Sequence, residues 1–241
     1  KLNTKMKVLI NSNGKRFLWK SGDLHTEDGI IKESDIRNRS NKIKSNVGKE
    51  LIKFEGKFRD QLNELRSGPA TVNAKDAGTI IAQTGINSKS KIVDAGSGSG
   101  FLSAYLSNIT NNITTYEKNA KHFKIAKTNL KKIAPKVKIK NRDVFEGIDE
   151  TNIDLITLDL PDPEKVLTHV ENSLNSGAYL VCYLPSITQV QSLIKASEKH
   201  NLILEKVLET IEREWTVKDR VCRPNHQMLG HTAFLVFFRK Y

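Results

Sequence analysis

The chain has 241 residues, and its 39 Lys+Arg against 27 Asp+Glu leave a formal net charge of +12. That length suits one large domain, or one domain with a small module, and 38% hydrophobic residues argue against wholesale disorder. No apolar run approaches the ~18 residues that span a bilayer, the stretch Lys1 to Lys20 is too polar for a secretory signal, and two cysteines (Cys182 and Cys222) exclude a disulfide framework and a CxxC zinc site.

Residues 6–33 read as a small β unit. Val8 to Ile10 is a short apolar strand, Asn13-Gly14 a hairpin turn, and Arg16 to Trp19 the return strand. Turns at Ser21-Gly22-Asp23 and Asp28-Gly29 make three or four short strands in all. Residues 34–50 are polar and Asn-rich and read as a linker. Apolar positions 51, 52, 54, 58, 62 and 65 give a helical or mixed segment. These features divide the chain into a small N-terminal β domain with its linker (1–50) and a larger domain (51–241). Asp76 to Gln83 is expected to be a helix ending near Gly85.

From Lys91 onward strands and helices alternate. Strands are expected at 92–93, 113–117, 137–141, 153–158 and 178–184. Helices are expected at 99–106, 119–133, 164–174 and 187–200. Such alternation means an α/β fold, a parallel sheet with helices on both faces. The last two strands, 202–213 and 234–239, have no helix pattern between them and suggest an antiparallel edge.

The strongest local signal is Val93-Asp94-Ala95-Gly96-Ser97-Gly98-Ser99-Gly100. Its glycines let the backbone turn tightly and approach a ligand. In open α/β sheets ligands bind just there, beyond the carboxyl end of the first strand. The spacing is G-x-G-x-G rather than the dinucleotide G-x-G-x-x-G. Asp94 can face a ligand ammonium. Glu117 falls 21 residues after Gly96, at the end of the second strand, where an acid can accept both ribose hydroxyl protons. Asp143, after the third strand, can accept from an adenine amine or cap a helix. The fourth strand runs into Asp159-Leu160-Pro161-Asp162-Pro163, a stiff acidic turn. His226 and His231 have no third ligand nearby, so no metal site is expected.

The basic excess is uneven. Residues 1–66 carry a net +7 and residues 67–241 a net +5. Lys118 to Lys140 holds nine lysines and no acid. A solvated helix face and a phosphate-contacting stripe both account for that run.

Taken together, these residues resemble the tRNA (adenine-N1)-methyltransferases of archaea and bacteria that act at position 58 of the T-loop. The glycine loop, Glu117 and Asp143 are similar to the class I S-adenosylmethionine-dependent methyltransferases in general. Asn13 to Phe17, Leu24-His25-Thr26 and Gly29-Ile30-Ile31 resemble the family's small β domain. Arg66-Ser67-Gly68-Pro69 with Lys75-Asp76 resembles the entry to its catalytic domain. Leu158 to Pro163 resembles its active-site strand end, and Arg223-Pro224 with Gly230 to Leu235 its C-terminal hairpin. Where this chain has Asn73-Ala74-Lys75-Asp76 the family usually has Tyr-Pro-Lys-Asp, so an aromatic near the target base is missing. Many relatives also have a bulky residue where this chain has Glu164.

The resemblance implies a Rossmann-like, mostly parallel seven-stranded sheet and S-adenosylmethionine as cofactor. It implies cofactor contacts from Asp94, Gly96, Gly98, Ser99, Gly100, Phe101, Leu102, Glu117, His122, Asp143, Val144 and Asp159. Asp159 would also be the catalytic acid facing adenine, and Lys75, Arg223, His231 and Thr232 would meet the substrate. The implied partner is tRNA, the implied assembly a homotetramer, and the implied setting the cytoplasm, with no membrane or metal. Methylation at position 57 as well as 58 stays open. So do a same-fold methyltransferase with another substrate and a non-catalytic RNA-binding subunit.

Overall fold

The computed structural model describes residues 6–68 and 71–241, so Pro69 of the Arg66 to Pro69 motif lies outside the described residues. The chain forms two compact units, Lys1–Leu65 and Arg66–Tyr241.

In the first unit, β1 (Lys7–Asn11) and β2 (Arg16–Trp19) form the expected hairpin, with Gly14 in the left-handed region at φ 79°. A second hairpin, β3 (Leu24–Thr26) and β4 (Gly29–Ile31), leads into the short helix α1 (Glu33–Arg37). Strands β5 (Lys42–Lys44) and β6 (Glu50–Glu55) complete a four-stranded antiparallel sheet in the order β2-β1-β6-β5, and α2 (Phe58–Leu62) follows. Leu9, Trp19, Ile31, Ile36, Ile43 and Leu51 form its core.

Two expectations are corrected here. Residues 34–50 are not a linker, because α1, β5 and the start of β6 lie in them. Residues 51–55 are a strand rather than a helix, and because β6 pairs with β1 the boundary moves from residue 50 to residue 65. The cause is Lys53, which is 2% exposed while its neighbours Ile52 and Phe54 are 53% and 40% exposed. Its ammonium donates to the carbonyls of Asp35, Ile36 and Asn38 at 2.5, 2.8 and 2.9 Å, satisfying the open end of α1. A charged residue points inward and two apolar ones outward, which inverts the pattern that marks a strand.

The second unit begins with α3 (Ala74–Thr84), closed by Gly85 at φ 61°. Then come β7 (Ile92–Ala95), α4 (Phe101–Ser107), β8 (Ile113–Tyr116), α5 (Ala120–Ile133), β9 (Lys138–Lys140) and β10 (Ile153–Leu158). A 3₁₀ turn at Pro163–Val166 precedes α6 (Leu167–Ser173), replacing the first part of the helix expected over 164–174. Proline at its start and the missing amide donors account for the tighter turn. The chain continues through β11 (Leu174–Leu184), α7 (Ile187–Ser197) and β12 (Leu202–Leu208). A further hairpin, β13 (Trp215–Lys218) and β14 (Val221–Pro224), which the sequence reading did not anticipate, precedes β15 (Phe234–Lys240).

The sheet has seven strands in the order β12-β15-β11-β10-β7-β8-β9. From β11 to β9 neighbours are parallel, and β15 is antiparallel to both β11 and β12. The antiparallel member is therefore the inserted β15, one strand in from the edge. Side chains alternate between two cores, as the two-residue period requires. Ile92, Leu155, Val181 and Phe237 meet Ile80 of α3 and Leu102 and Leu106 of α4. Val93, Ile156, Leu180 and Phe238 meet Val170 of α6 and Val190 and Leu193 of α7. Among the described residues no helix is long and apolar enough to cross a membrane.

Candidate active site

The parallel strands end side by side, and the residues after β7, β8, β10 and β11 line the same cleft. Leu158 pairs with Ala95 and Ala95 with Tyr116, so Asp159, Gly96 and Glu117 form a row across β10, β7 and β8. The Asp159 amide donates to the Ala95 carbonyl at 2.6 Å and extends the ladder by one bond. The cleft above this row has a volume of about 600 Å³. Its walls include Gly96, Gly98, Glu117, His122, Asp143, Val144, Asp159, His231 and Thr232, nine of the residues expected from the sequence.

The glycine loop turns through Gly98 at φ 55° and Gly100 at φ 83°, a region that L side chains enter only with strain. A Cβ on Gly96 would sit 3.2 Å from the Asp159 carbonyl oxygen and 3.9 Å from Glu117 Oε2, so glycine keeps the space between the two acids open. Glu117 fastens the loop from the other side: its Oε2 accepts from the Gly98 amide at 2.9 Å and its Oε1 from Asn119 at 2.9 Å. Each carboxylate oxygen has a second lone pair beyond the bond it accepts, and Glu117 lines the cleft.

Asp94 lies below this row. It is 1% exposed, and its carboxylate accepts from the hydroxyls of Ser103, Thr157 and Thr115 at 2.5, 2.8 and 3.0 Å. Burial pushes its carboxyl up, opposed by those hydroxyls. With Ser99, Phe101 and Leu102 it lines a small recess behind the loop rather than the main cleft. Ser99 Oγ accepts from the Gly68 amide at 2.8 Å. Gly100 lines neither space, because a Cβ there would meet Leu130 at 3.0 Å and its glycine serves packing. Asp143 caps a 3₁₀ turn by accepting from the Phe145 amide at 3.0 Å. Its other oxygen stands 3.5 Å from Lys118, whose ammonium also lies over the Phe145 ring.

Asp159 differs from its neighbours. No donor among the described residues hydrogen-bonds its carboxylate. Burial first, then the charges of Asp94 and Glu117, push its carboxyl up to about 7.

Two expected substrate residues are corrected. Lys75 does not line the cleft. Its ammonium is held by Asp76 at 2.8 Å and by the hydroxyls of Thr232 and Thr210 at 2.6 and 3.2 Å. Asp76 is fully buried and also accepts from Thr210, Thr232 and Tyr183 at 2.6, 2.8 and 3.2 Å. Burial pushes its carboxyl up, but Lys75 and the threonines outweigh this and hold it below the usual range. A charged side chain this deep needs such partners, which explains why Lys75 turns inward. Arg223 is exposed on β14, paired with His226, and does not reach the cleft.

His231 does reach it. Nδ1 faces Glu209 at 2.7 Å and Nε2 faces the Pro185 carbonyl at 3.1 Å. Both partners only accept, so these contacts favour the charged ring, in which both nitrogens donate. Glu209, then Pro185, raise its pKa. Tyr183 and Pro185 at the end of β11, which were not singled out above, also line the cleft, as do Leu160 and Pro161 of the acidic turn after β10. The rule that ligands bind at strand carboxyl ends points to all four. Nothing local points to Asp76, whose partners come from positions 75, 183, 210 and 232. Among the described residues no group of three or more His, Cys, Asp or Glu is arranged to hold a metal ion.

A glycine loop after the first strand, an acid after the second and one antiparallel strand in a seven-stranded sheet define a class I S-adenosylmethionine-dependent methyltransferase. A solved S-adenosylmethionine-dependent O-methyltransferase from Thermotoga maritima is similar over 100% of this chain and 94% of its own, with a TM-score of 0.88 and 27% identity. The tRNA (m1A58) methyltransferase TrmI of Aquifex aeolicus follows over 99% and 98%, with a TM-score of 0.83 and 25% identity. The family model described as "tRNA methyltransferase complex GCD14 subunit" matches residues 69–223. The tRNA (adenine(57)-N(1)/adenine(58)-N(1))-methyltransferase TrmI of Methanocaldococcus jannaschii is 31% identical over 97% of this chain and 94% of its own. The tRNA (adenine(58)-N(1))-methyltransferase TrmI of Thermus thermophilus is 31% identical over 83% and 80%. The chain belongs to this tRNA methyltransferase family.

The cleft residues fit the family's sulfonium cofactor. Glu117 has free lone pairs for a ribose diol, Val144 is an apolar wall beside the Asp143 acceptor, and Gly96 leaves open the space between the two acids.

Proposed function

We propose that this protein methylates N1 of adenine 58 in the T-loop of tRNA, with S-adenosylmethionine as donor. The observation that carries the reading is Asp159: an acid on a rigid strand end, in the cleft, with no hydrogen-bond donor to its carboxylate among the described residues. S-adenosylmethionine, when bound, supplies a methyl group already activated on a sulfonium. The protein's task is then alignment and charge stabilisation. Glu117, Asp143 and Val144 would hold the adenosyl portion. Asp159 accepts an N6–H bond from the target adenine and stabilises the positive charge that the purine gains on N1 alkylation. The N1 edge is enclosed in a folded T-loop, so the base must leave its stack to reach the cleft.

Asn73 stands on the cleft wall, at the position where the family resemblance implies a tyrosine. Leu229 and His231 on the same wall supply apolar surface and a flat ring in its place. The lysines of α5 at 121, 124, 127, 131 and 132 are all exposed, as a phosphate-contacting stripe and a solvated helix face both require, and within this reading they contact tRNA phosphates. Within this reading the protein acts in the cytoplasm as a homotetramer. Its test is to incubate the protein with S-adenosylmethionine and a tRNA transcript and map 1-methyladenosine. Modification at 58 is expected, and a product at 57 is read in the same map. Methylation of free nucleosides but not of tRNA would refute the substrate, and absence of methyl transfer with intact cofactor binding would indicate an RNA-binding subunit.

A further inference from the structure

Asp159 sits in an unusual charge setting. To one side, Asp94 occupies the strand pair below, and Glu117 stands beyond Gly96 in the same row. Asp94 is satisfied by three hydroxyls and Glu117 by two backbone amides, so neither brings a cation. From β11, Tyr183 offers a hydroxyl already donated to Asp76. From α3, the charge of Lys75 is spent on Asp76. From the C-terminal segment, His231 is held by Glu209, whose carboxylate offsets any charge on the ring. On the far wall, Lys118 pairs with Asp143, Arg142 pairs with Asp149, and His122 lies on α5. Every cation with an assigned partner in or beside this cleft faces an acid other than Asp159.

We propose that Asp159 is a proton-exchanging sensor of cofactor charge: it holds a proton when the cleft carries no cation and releases it to solvent when a sulfonium ligand binds. This rests on the reading of the cleft as the methyl donor's site. The physical reason is that burial beside two other carboxylates keeps such a group partly protonated near neutral pH, and a positive charge joining them favours its ionised form. The donor carries both an α-ammonium and a sulfonium. The demethylated product, S-adenosylhomocysteine, keeps the ammonium and lacks the sulfonium. Asp159 therefore distinguishes the two by charge, with donor binding favoured by its ionised form and product binding compatible with its protonated form. Rising pH shifts the preference toward the donor.

The magnitude follows from linkage. With the free carboxyl at about 7, full ionisation on donor binding releases about half a proton at pH 7, and the donor's Kd falls about tenfold between pH 6 and pH 8. The product's Kd changes much less. The experiment is titration calorimetry of the unaltered protein with each ligand, at pH 6, 7 and 8, in two buffers of different ionisation enthalpy. The expected result is proton release with S-adenosylmethionine that exceeds release with S-adenosylhomocysteine. Asp159→Asn, which keeps His122 and His231, should abolish the difference. Equal proton counts and equal pH slopes for the two ligands would overturn the proposal, as would a difference that survives in Asp159→Asn. If neither ligand binds at any pH, the reading of the cleft fails and the proposal falls with it.

Discussion

The buried Lys75–Asp76 pair offers the most direct test of how the cleft wall is built. Asp76→Ala removes a carboxylate that accepts from Lys75, Thr210, Thr232 and Tyr183. The Lys75 side chain is only 11% exposed, so its charge would stay enclosed without a counter-ion. Breaking one side of such a pair costs about 3–5 kcal/mol. For a unit of this size that lowers Tm by roughly 10 °C. The double substitution Lys75→Met with Asp76→Asn removes both charges yet keeps an acceptor for the threonine hydroxyls. It should recover most of the loss, leaving a deficit of about 1–2 kcal/mol. Urea unfolding followed by far-ultraviolet circular dichroism measures both variants. A single variant within 1 kcal/mol of the unaltered protein, or a double variant no more stable than the single, would refute the account of the network as a neutralised buried pair.

Four further outcomes are expected. Asp159→Ala should keep the fold and the binding of S-adenosylhomocysteine while losing roughly 10²–10³ in turnover on tRNA, and near-normal turnover would sink the assignment of its role. Gly96→Ala would push a Cβ to 3.2 Å from the Asp159 carbonyl oxygen, and calorimetry should read a cofactor Kd weakened by about tenfold or more. Because the folded protein raises the pKa of His231, its tie to Glu209 is fully present below the ordinary histidine value of about 6.5 and is lost as pH rises through the raised value. Protection factors for amide exchange over residues 225–233, with the base-catalysed intrinsic rate divided out, should therefore fall as pH rises through that value, and His231→Gln should remove the fall. Finally, Lys121, Lys124 and Lys127 changed together to Gln should weaken tRNA binding and lower its salt slope by up to about 0.9 per lost phosphate contact, with cofactor affinity unchanged. An unaltered slope would return these lysines to the role of a solvated helix face.

Much of the second unit was legible in the sequence because each strand there is a short apolar run followed by a helical pattern, with turn residues between. Glu117 and Asp159 were legible for a related reason: in a parallel sheet the residue after a strand falls at the ligand edge whatever the sequence around it, and Asp143 lies in the loop just beyond β9. The first unit was harder. Lys53 is buried to satisfy backbone carbonyls of α1, and Ile52 and Phe54 face outward, so the apolar spacing over 51–62 imitates a helix. Lys75 misled differently. A lysine beside a family motif reads as a phosphate or substrate contact, but its partners are contributed by residues up to 157 positions away. Asp94 shows the same limit, since the three hydroxyls that enclose it come from β8, β10 and α4. Spacing along one segment carries no record of such meetings.

The position of β15 bears on how the protein is made. In the chain it follows every other strand of the seven, yet in the sheet it lies between β11 and β12. As the polypeptide leaves the ribosome, β12 emerges with no neighbour to pair with, and the apolar edge of β11 stays bare until residues 234–240 arrive. Phe237 and Phe238, each 0% exposed, then close both cores in one step. The methyltransferase unit therefore cannot finish folding while it is still being synthesised up to that point. A stop or frameshift shortly before Phe234 should yield an aggregating product with two open strand edges, rather than a slightly shortened enzyme.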